Sequence, residues 1–211
     1  MSKLKFYKDV IVSDFYHVRQ YDYKYFTQVV DIGASTGVFT VLCAFLFPFA
    51  KISSYEPDIT ELELLRENVS NLRSSILLYQ EALGSGRTFY FKGDHIFCEE
   101  QTDKFSCPSL TITQILDRVN YLNNKVLLKI DCEGGERFMF GDVEGINAMK
   151  SVQHIAMEIH FPNRKYRAFD NLPSYCVHNQ WVRDNFTETH NINYCHSKKH
   201  SGFGHFILTK K

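Results

Sequence analysis

The sequence predicts a single α/β domain with an open, mostly parallel sheet, and three segments support this prediction. Residues 29–32, 51–55 and 126–130 have the composition of strands, and each is followed at once by glycine or an acidic residue. In an open parallel sheet, ligands bind outside the carboxyl ends of the strands. A length of 211 residues suffices for one such domain and is too short for two ordinary domains with separate cores.

The turn after the first strand indicates what type of ligand binds there. Residues 31–37 read Asp-Ile-Gly-Ala-Ser-Thr-Gly, and Gly33 and Gly37 let a ligand lie directly against the main chain where a helix begins. The turn has neither the glycine spacing of a dinucleotide-binding loop nor the sequence of a phosphate-binding loop. The carboxylate of Asp31 disfavours phosphate and suits a cationic ligand such as S-adenosylmethionine. A purely structural turn is the alternative.

An acidic residue at the tip of the second strand predicts a contact with a ribose. Glu56 follows Asp31 by 25 positions, and an acid at this distance from the first turn can accept hydrogen bonds from a ribose diol. Pro57 prevents a helix from starting at Glu56 itself, and Asp58 is predicted to cap the helix that follows. Apolar residues at helical spacing then lead to a third strand at 76–79. The alternative for Glu56 is a solvated acid at a strand end.

The segment at 126–130 is a continuous apolar run except for one lysine, and three acidic residues follow it within six positions: Asp131, Glu133 and Glu136. Such a run is typical of a strand buried on both faces. We expect Asp131, at the strand tip, to lie on the same rim as Asp31 and Glu56. The alternative for Glu133 and Glu136 is that they only occupy the first turn of a helix, where negative charge is favourable.

Five segments of the chain carry a resemblance to a known family. They are Val-Val-Asp-Ile-Gly-Ala-Ser-Thr-Gly at 29–37, Tyr-Glu-Pro-Asp at 55–58, Glu-Ala-Leu-Gly at 81–84, Leu-Lys-Ile-Asp-Cys-Glu-Gly-Gly-Glu at 128–136 and Met-Glu-Ile-His at 157–160. Together they resemble the FkbM family of S-adenosylmethionine-dependent methyltransferases. The resemblance implies a Rossmann-like class I methyltransferase fold and transfer of a methyl group to oxygen.

Two positions depart from the family pattern. Ser35 stands where asparagine is usual, and Gly135 stands where alanine is usual. Both replacements are small, so cofactor binding is expected to persist. The glycine predicts looser packing of the helix after Asp131.

These observations give a set of predicted site residues. The predicted S-adenosylmethionine-binding residues are Asp31, Gly33, Ala34, Ser35, Gly37, Glu56, Pro57, Glu81, Ala82 and Asp131. The predicted catalytic residues are Asp131 and His160 as candidate bases and Glu158 as the group that orients or charges His160. No metal is predicted. A cation held by Asp131, Glu133 and Glu158 is a less favoured variant, because the number of carboxylates does not establish a coordination geometry.

The predicted function is O-methylation of a hydroxyl group on a small molecule or sugar. One alternative is methylation of RNA, for which the aromatic and basic segment 6–26 would be a platform. The 24 basic and 24 acidic residues cancel, which argues against a large nucleic-acid surface. The other alternative is a non-catalytic binding module that keeps the fold.

The remaining segments predict the domain organisation. Residues 1–27 are predicted to form an aromatic and basic helical lid or cap, and residues 28–211 the methyltransferase domain. An insertion is predicted at 88–109, and its polar middle, residues 93–104, is expected to border the acceptor pocket. Strands at 181–187 and 205–208, joined by the 196–201 loop, predict a closing antiparallel hairpin, with helices on both faces of a seven-stranded sheet.

Neither a membrane span nor a signal peptide is predicted. The apolar stretch 38–50 is too short to cross a bilayer and is interrupted by Pro48, and it is better explained as a buried first helix. The amino-terminal residues lack an uninterrupted apolar core. The six cysteines show no framework spacing and indicate free thiols. We therefore expect a cytoplasmic protein.

Overall fold

The computed structural model describes residues 8–86, 88–91, 97–98, 106–160, 174–195 and 203–211. The strands are β1 Gln28–Ile32, β2 Lys51–Tyr55, β3 Ser75–Tyr79, β4 Ala82–Leu83, β5 Thr88–Phe91, β6 Phe97–Cys98, β7 Ser106–Leu110, β8 Val126–Ile130, β9 His154–His160, β10 His190–Cys195 and β11 Phe203–Lys210. The helices are α1 Val38–Leu46, α2 Ile59–Val69, α3 Ile112–Arg118, α4 Val143–Met149 and α5 Ser174–Phe186. Three shorter helical turns cover Lys8–Val12, Tyr121–Asn123 and Gly135–Met139.

The main sheet has seven strands in the order β10-β11-β9-β8-β1-β2-β3. All neighbouring pairs from β9 to β3 are parallel, and β11 runs antiparallel to both β9 and β10. This arrangement confirms the predicted mostly parallel sheet with a carboxyl-terminal antiparallel hairpin. The insertion contributes to a small second sheet, β4-β7-β5-β6, and most of its polar middle lies outside the described residues.

Apolar layers cover both faces of the main sheet, as predicted. Alternate residues along each strand point to opposite faces. Val29 of β1 and Leu127 of β8 pack in the layer that contains α1. Val30 and Leu128 pack in the other layer, with residues of α3, α4 and α5.

The strand order reverses between β1 and β8, and this reversal positions the site. From β1 the chain continues outward to β2 and β3, and it then crosses back to place β8 on the other side of β1. Ligands of open α/β sheets bind in the crevice at such a reversal, outside the carboxyl ends of the strands. The tips of β1, β2, β8 and β9 all lie at this edge because these strands are parallel.

The described part of the amino-terminal segment packs on the α1 side of the sheet. It contains one helical turn, Lys8–Val12, followed by turns and bends up to β1. Tyr16 and Phe26 are fully buried in the layer around α1. His154 Nε2 donates a hydrogen bond to the Tyr16 carbonyl oxygen over 3.0 Å, which ties the segment to β9. A lid or cap function for residues 1–27 stays a prediction.

The predicted strand at 181–187 is wrong. Residues up to Phe186 belong to α5, and the strand that pairs with β11 is β10. Val182 and Phe186 are both fully buried and stand four positions apart. This is the spacing of one helix face, whereas a half-buried strand would bury every second residue.

None of the helices in the described ranges is long and apolar enough to cross a membrane.

Candidate functional site

The glycine turn after β1 brings the tips of β1, β2 and β8 together. Gly33 has a φ of +75°, and a Cβ added there would lie 1.8 Å from the backbone oxygen of Asp131. Gly33 and Ala34 donate backbone hydrogen bonds to the Tyr55 carbonyl oxygen over 2.9 and 3.0 Å. A Cβ at Gly37, where φ is +88°, would lie 2.2 Å from Leu65 Cδ1. Both predicted glycines are therefore required by backbone conformation, and Gly33 is also required by space, because the atom that it approaches belongs to the backbone.

Glu56 lies against this turn, as the sequence predicted from its position. Its carboxylate accepts a hydrogen bond from the backbone nitrogen of Ser35 over 2.7 Å and one from that of Asp58 over 2.9 Å. Burial raises the pKa of Glu56 to about 7, and the two backbone donors counteract this rise only in part. Pro57 is half-buried beside it. Glu56 and Ser35 thus form one wall at the sheet reversal.

Asp31 has a different environment from the open rim that the sequence suggested. Its side chain is fully buried, Thr40 Oγ1 donates to Oδ2 over 2.7 Å, and Lys129 Nζ lies 3.1 Å from Oδ1. Lys129 also donates to the Gly33 carbonyl oxygen over 2.6 Å. Burial acts to lower the pKa of Lys129, but the charges of Asp31 and Asp131 outweigh it and raise the pKa. Asp31 therefore holds Lys129 in place, and Lys129 binds the backbone of the glycine turn.

Sequence reasoning missed Lys129 and Thr40 as parts of the site. The signal for Lys129 was present, because it is the only charge within an otherwise apolar strand. A buried charge requires a partner. That partner is Asp31, directly opposite on β1.

Glu81 and Ala82 lie after β3. Glu81 forms a two-pronged ion pair with Arg118, in which Arg118 Nη2 donates to Oε1 over 3.1 Å. The Arg118 guanidinium lies 5.1 Å from the centre of the Tyr79 ring. Tyr79 in turn stacks on Tyr55 at 4.8 Å. Ala82 is buried in β4. The carboxylate of Glu81 is bound by Arg118 in this structure. The predicted contact of Glu81 with the cofactor stays a prediction.

Four carboxylates surround the imidazole of His160, the last residue of β9. His160 Nε2 lies 3.3 Å from Glu158 Oε1, 3.4 Å from Glu133 Oε2 and 3.8 Å from Asp131 Oδ1. His160 Nδ1 lies 3.3 Å from Glu136 Oε1. The structure therefore brings together the three predicted catalytic residues, Asp131, Glu158 and His160.

The electrostatics of this cluster follow from its composition. Burial acts to lower the pKa of His160, but hydrogen bonds to Glu136 and Glu158 and the charges of Glu136 and Asp131 outweigh it and raise the pKa to about 11. Burial and the charge of Asp131 raise the pKa of Glu158 to about 7. Carboxylates outnumber basic groups around His160, so this part of the edge favours cations.

Glu136 stands in the first turn of the short helix Gly135–Met139, but its side chain is fully buried. It accepts backbone hydrogen bonds from Cys132 and Gly134, each over 2.8 Å. Glu136 therefore does occupy a helix turn, as the alternative interpretation expected, but its buried carboxylate also connects the loop after β8 to His160. Burial and the charge of Glu136 raise the pKa of the Cys132 thiol, which is a buried free thiol, as expected.

The expected looser packing at Gly135 is wrong. A Cβ at this position would lie 2.9 Å from Cys132 Sγ and 3.1 Å from the Leu83 carbonyl oxygen. Both distances are shorter than ordinary van der Waals contact, so the helix approaches its neighbours more closely than an alanine would allow.

Two further aromatic side chains belong to the site and had no local sequence signal. Tyr16 donates a hydrogen bond from its hydroxyl group to Asp131 Oδ2 over 3.0 Å. His205 of β11 is 1% exposed, lies directly opposite Glu158 on β9 and stacks on Phe15 at 4.0 Å. Burial lowers the pKa of His205 to about 4, although the charge of Asp131 acts to raise it.

The strand order and its single antiparallel strand define the class of fold: it is the Rossmann-like fold of class I methyltransferases. The chain is similar in structure to a candidate rRNA methylase from Clostridium thermocellum, with a TM-score of 0.56, 10% identity, and 92% of this chain and 93% of that chain covered. It is also similar to Aeropyrum pernix fibrillarin, crystallised with natively bound S-adenosyl-L-methionine, with a TM-score of 0.53, 12% identity and 96% and 75% covered.

A third similar structure is a candidate caffeoyl-CoA O-methyltransferase from Staphylococcus aureus, with a TM-score of 0.50, 9% identity and 99% and 84% covered. No family model and no curated protein sequence matches the chain. The FkbM resemblance therefore stays a prediction. At these identities the three structures establish the fold alone.

Proposed function

We propose that this protein is an S-adenosylmethionine-dependent methyltransferase. The observation that carries the proposal is the position of Glu56 at the tip of β2, with its carboxylate 2.7 Å from the Ser35 nitrogen of the glycine turn. An acidic group at this point of the sheet reversal can accept hydrogen bonds from the two hydroxyl groups of a ribose. Ligands with an adenosine group fit this feature, so the choice among them depends on charge.

The charges at this edge favour the methyl donor over a dinucleotide. Beyond the glycine turn, the ligand would meet Asp131, Glu133 and Glu158, which lie around His160. These carboxylates would repel a pyrophosphate and attract the sulfonium and ammonium groups of S-adenosylmethionine. This balance supports S-adenosylmethionine rather than NAD as the cofactor.

For the acceptor, we propose a hydroxyl group on a small molecule or a sugar. Bound S-adenosylmethionine supplies an electrophilic methyl group on a sulfonium sulfur. In the proposed transfer the hydroxyl oxygen would form the new bond to the methyl carbon, the carbon–sulfur electron pair would stay with sulfur, and the hydroxyl proton would have to pass to a group of the protein. The protein has to hold the hydroxyl in line at near-attack distance and to exclude water.

Asp131 is the group that we propose to take the hydroxyl proton. Both ring nitrogens of His160 already lie 3.3 Å from carboxylate oxygens, so a substrate hydroxyl would have to displace Glu136 or Glu158 to reach either nitrogen. Asp131 Oδ2 is held by the Tyr16 hydroxyl, while Oδ1 lies 3.8 Å from His160. His160 and Tyr16 therefore orient Asp131, and Glu158 orients His160. RNA fits this edge less well than a neutral hydroxylated compound, because RNA phosphates would approach several carboxylates.

The test is calorimetric titration of the purified protein with S-adenosylmethionine and, separately, with NAD. We expect S-adenosylmethionine alone to bind. Glu56→Ala should weaken its binding about tenfold or more, because hydrogen bonds to a charged group contribute about 1.5–3 kcal/mol. Glu63→Ala removes an exposed carboxylate from the neighbouring helix α2 and should bind like the wild type.

The outcomes separate the candidate functions. Binding of NAD, or unchanged affinity in Glu56→Ala, would contradict the proposal. Absence of binding to both ligands would favour the non-catalytic module. If S-adenosylmethionine binds, transfer of a labelled methyl group to a panel of sugars, hydroxylated compounds and RNA identifies the acceptor class. An RNA acceptor would show affinity that falls steeply with salt, whereas a neutral small molecule would not.

A further inference from the structure

We propose that Asp131, Glu133 and His160 form a binding site for a divalent cation at the carboxyl edge of the sheet. One ligand atom from each of these residues lies within 4.8 Å of the other two. Asp131 and Glu133 belong to the loop after β8, and His160 ends the neighbouring strand β9. The set therefore combines two carboxylate oxygens from the loop after β8 with an imidazole nitrogen from the end of β9, and it differs in this respect from a run of acids on a single loop.

The orientation of His160 fits a metal ligand. Its Nδ1 faces Glu136, a carboxylate that is fully buried and fixed by two backbone hydrogen bonds. Its Nε2 faces the oxygens of Asp131, Glu133 and Glu158. A histidine that binds a metal through one nitrogen usually donates its other N–H to a carboxylate, which fixes the ring and makes it a better ligand. Glu136 has this position.

The neighbouring His205 is an independent observation that points to a missing ligand. Neither of its ring nitrogens has a hydrogen-bond partner among the described residues, although the side chain is 1% exposed. His205 lies directly opposite Glu158 in the β9–β11 pairing, and side chains at such positions share one face of the sheet. A water molecule carried by the cation would give His205 the partner that it lacks.

The donor set indicates the type of cation. Imidazole nitrogen suits first-row transition metals, and carboxylate oxygen suits Mg²⁺, Ca²⁺ and Mn²⁺. Mn²⁺ satisfies both kinds of donor and is our choice for the site. The sequence alone did not favour a metal, because the number of carboxylates could not show that side chains of the loop after β8 and of β9 converge on one point.

Cation binding at this site does not depend on the proposed methyltransferase function. A role of the cation in catalysis does rest on that proposed function. A cation at this point would bind the oxygen of the acceptor hydroxyl group and withdraw electron density from it. The proton of the hydroxyl would then leave more easily, and the oxygen would be held next to the methyl donor. This favours acceptors with two neighbouring oxygen atoms, which can both bind one cation.

The test measures Mn²⁺ binding to the chelator-treated full chain by electron paramagnetic resonance of the free ion. We expect about one Mn²⁺ per chain, and Glu133→Gln should weaken binding about tenfold or more, because loss of a ligand should cost at least as much as loss of a residue that only hydrogen-bonds to a ligand. The side chain of Glu133 is 56% exposed, so this variant should fold. His160→Asn is a second variant with the same expected loss. Glu144→Gln removes an exposed carboxylate of α4 outside the cluster and should bind Mn²⁺ like the wild type.

Several results would overturn the site. These are no fall in the free Mn²⁺ signal with the wild-type protein, unchanged binding in both Glu133→Gln and His160→Asn, or an equal loss in Glu144→Gln. Calorimetry with S-adenosylmethionine on the same samples tests the proposed function separately. Binding of S-adenosylmethionine without Mn²⁺ would contradict the cation site alone. Specific Mn²⁺ binding without S-adenosylmethionine would support the cation site and contradict the proposed function.

Discussion

Lys129 and Asp31 form an ion pair inside the main sheet, with Nζ 3.1 Å from Oδ1 and neither side chain more than 3% exposed. The two residues are directly opposite each other on the adjacent parallel strands β8 and β1. Lys129 also donates to the carbonyl oxygens of Ile32 and Gly33, over 3.3 and 2.6 Å. The pair therefore joins the two strands at the sheet reversal and fixes the end of β1 where the glycine turn begins.

Lys129→Met should strongly destabilise the protein. It removes the positive charge and leaves Asp31 as an uncompensated charge in the interior, which costs about 3–5 kcal/mol. Urea unfolding followed by circular dichroism measures the loss. Lys51→Met, at the exposed first residue of β2, is the control and should change the free energy of unfolding by less than about 0.5 kcal/mol. A small effect of Lys129→Met would show that Asp31 is stabilised in another way.

Gly33→Ala should cost more stability than Gly134→Ala. Both glycines have positive φ, +75° and +107°, so each substitution strains the backbone by about 1–2 kcal/mol. Only at Gly33 would the new Cβ overlap a backbone atom, the Asp131 oxygen at 1.8 Å, whereas no atom lies within 4 Å of a Cβ at Gly134. We expect a total loss of about 3 kcal/mol or more for Gly33→Ala. Equal losses in urea unfolding would contradict the close approach of β1 and β8.

The affinity for S-adenosylmethionine should increase as the pH rises from about 6 to about 8. Burial raises the pKa of Glu56 to about 7, and the backbone hydrogen bonds from Asp58 and Ser35, together with the charge of Lys129, offset this rise only in part. Below this pKa the protonated acid accepts weaker hydrogen bonds from a ribose, and above it the carboxylate accepts stronger ones. We expect a change of about fivefold, corresponding to about 1 kcal/mol. Calorimetric titrations at several pH values measure it, and the Glu56→Ala profile should be flatter.

Tyr16→Phe should reduce stability by about 1–2 kcal/mol, because it removes the hydroxyl group that donates to the partly buried carboxylate of Asp131. The phenyl ring keeps the edge-to-face contact with Phe39. Tyr23→Phe, at a side chain that is 47% exposed, is the control and should have little effect. If thermal unfolding shows no difference between the two variants, the contact between Tyr16 and Asp131 contributes little, and the amino-terminal segment is held by packing and by its hydrogen bonds to His154.

The wrong prediction of a strand at residues 181–187 shows that a short hydrophobic pattern cannot distinguish a strand from the end of a helix. This segment has aromatic and β-branched residues that are compatible with a strand, and its first residues continue a helix that begins at Ser174. The buried pair Val182 and Phe186 fits the helical period, but two positions are too few to exclude the other period. By contrast, the glycine turn and the strand tips occur at fixed offsets from apolar runs, and there the predicted elements were found.

The sequence by itself determined the fold class and which residues gather at the carboxyl edge. Parallel strands place their ends at one edge, so residues that follow each strand, such as Glu56 and Asp131, must lie near the reversal of strand order. The burial, the hydrogen-bond partners and the ion pairs of each site residue depended on the tertiary structure. Tyr16 reaches Asp131 across 115 positions. His160 meets four carboxylates, which belong to β9, the loop after β8 and the short helix Gly135–Met139. Local patterns fix the period and the ends of an element, whereas burial and pairing of charges depend on how distant segments pack.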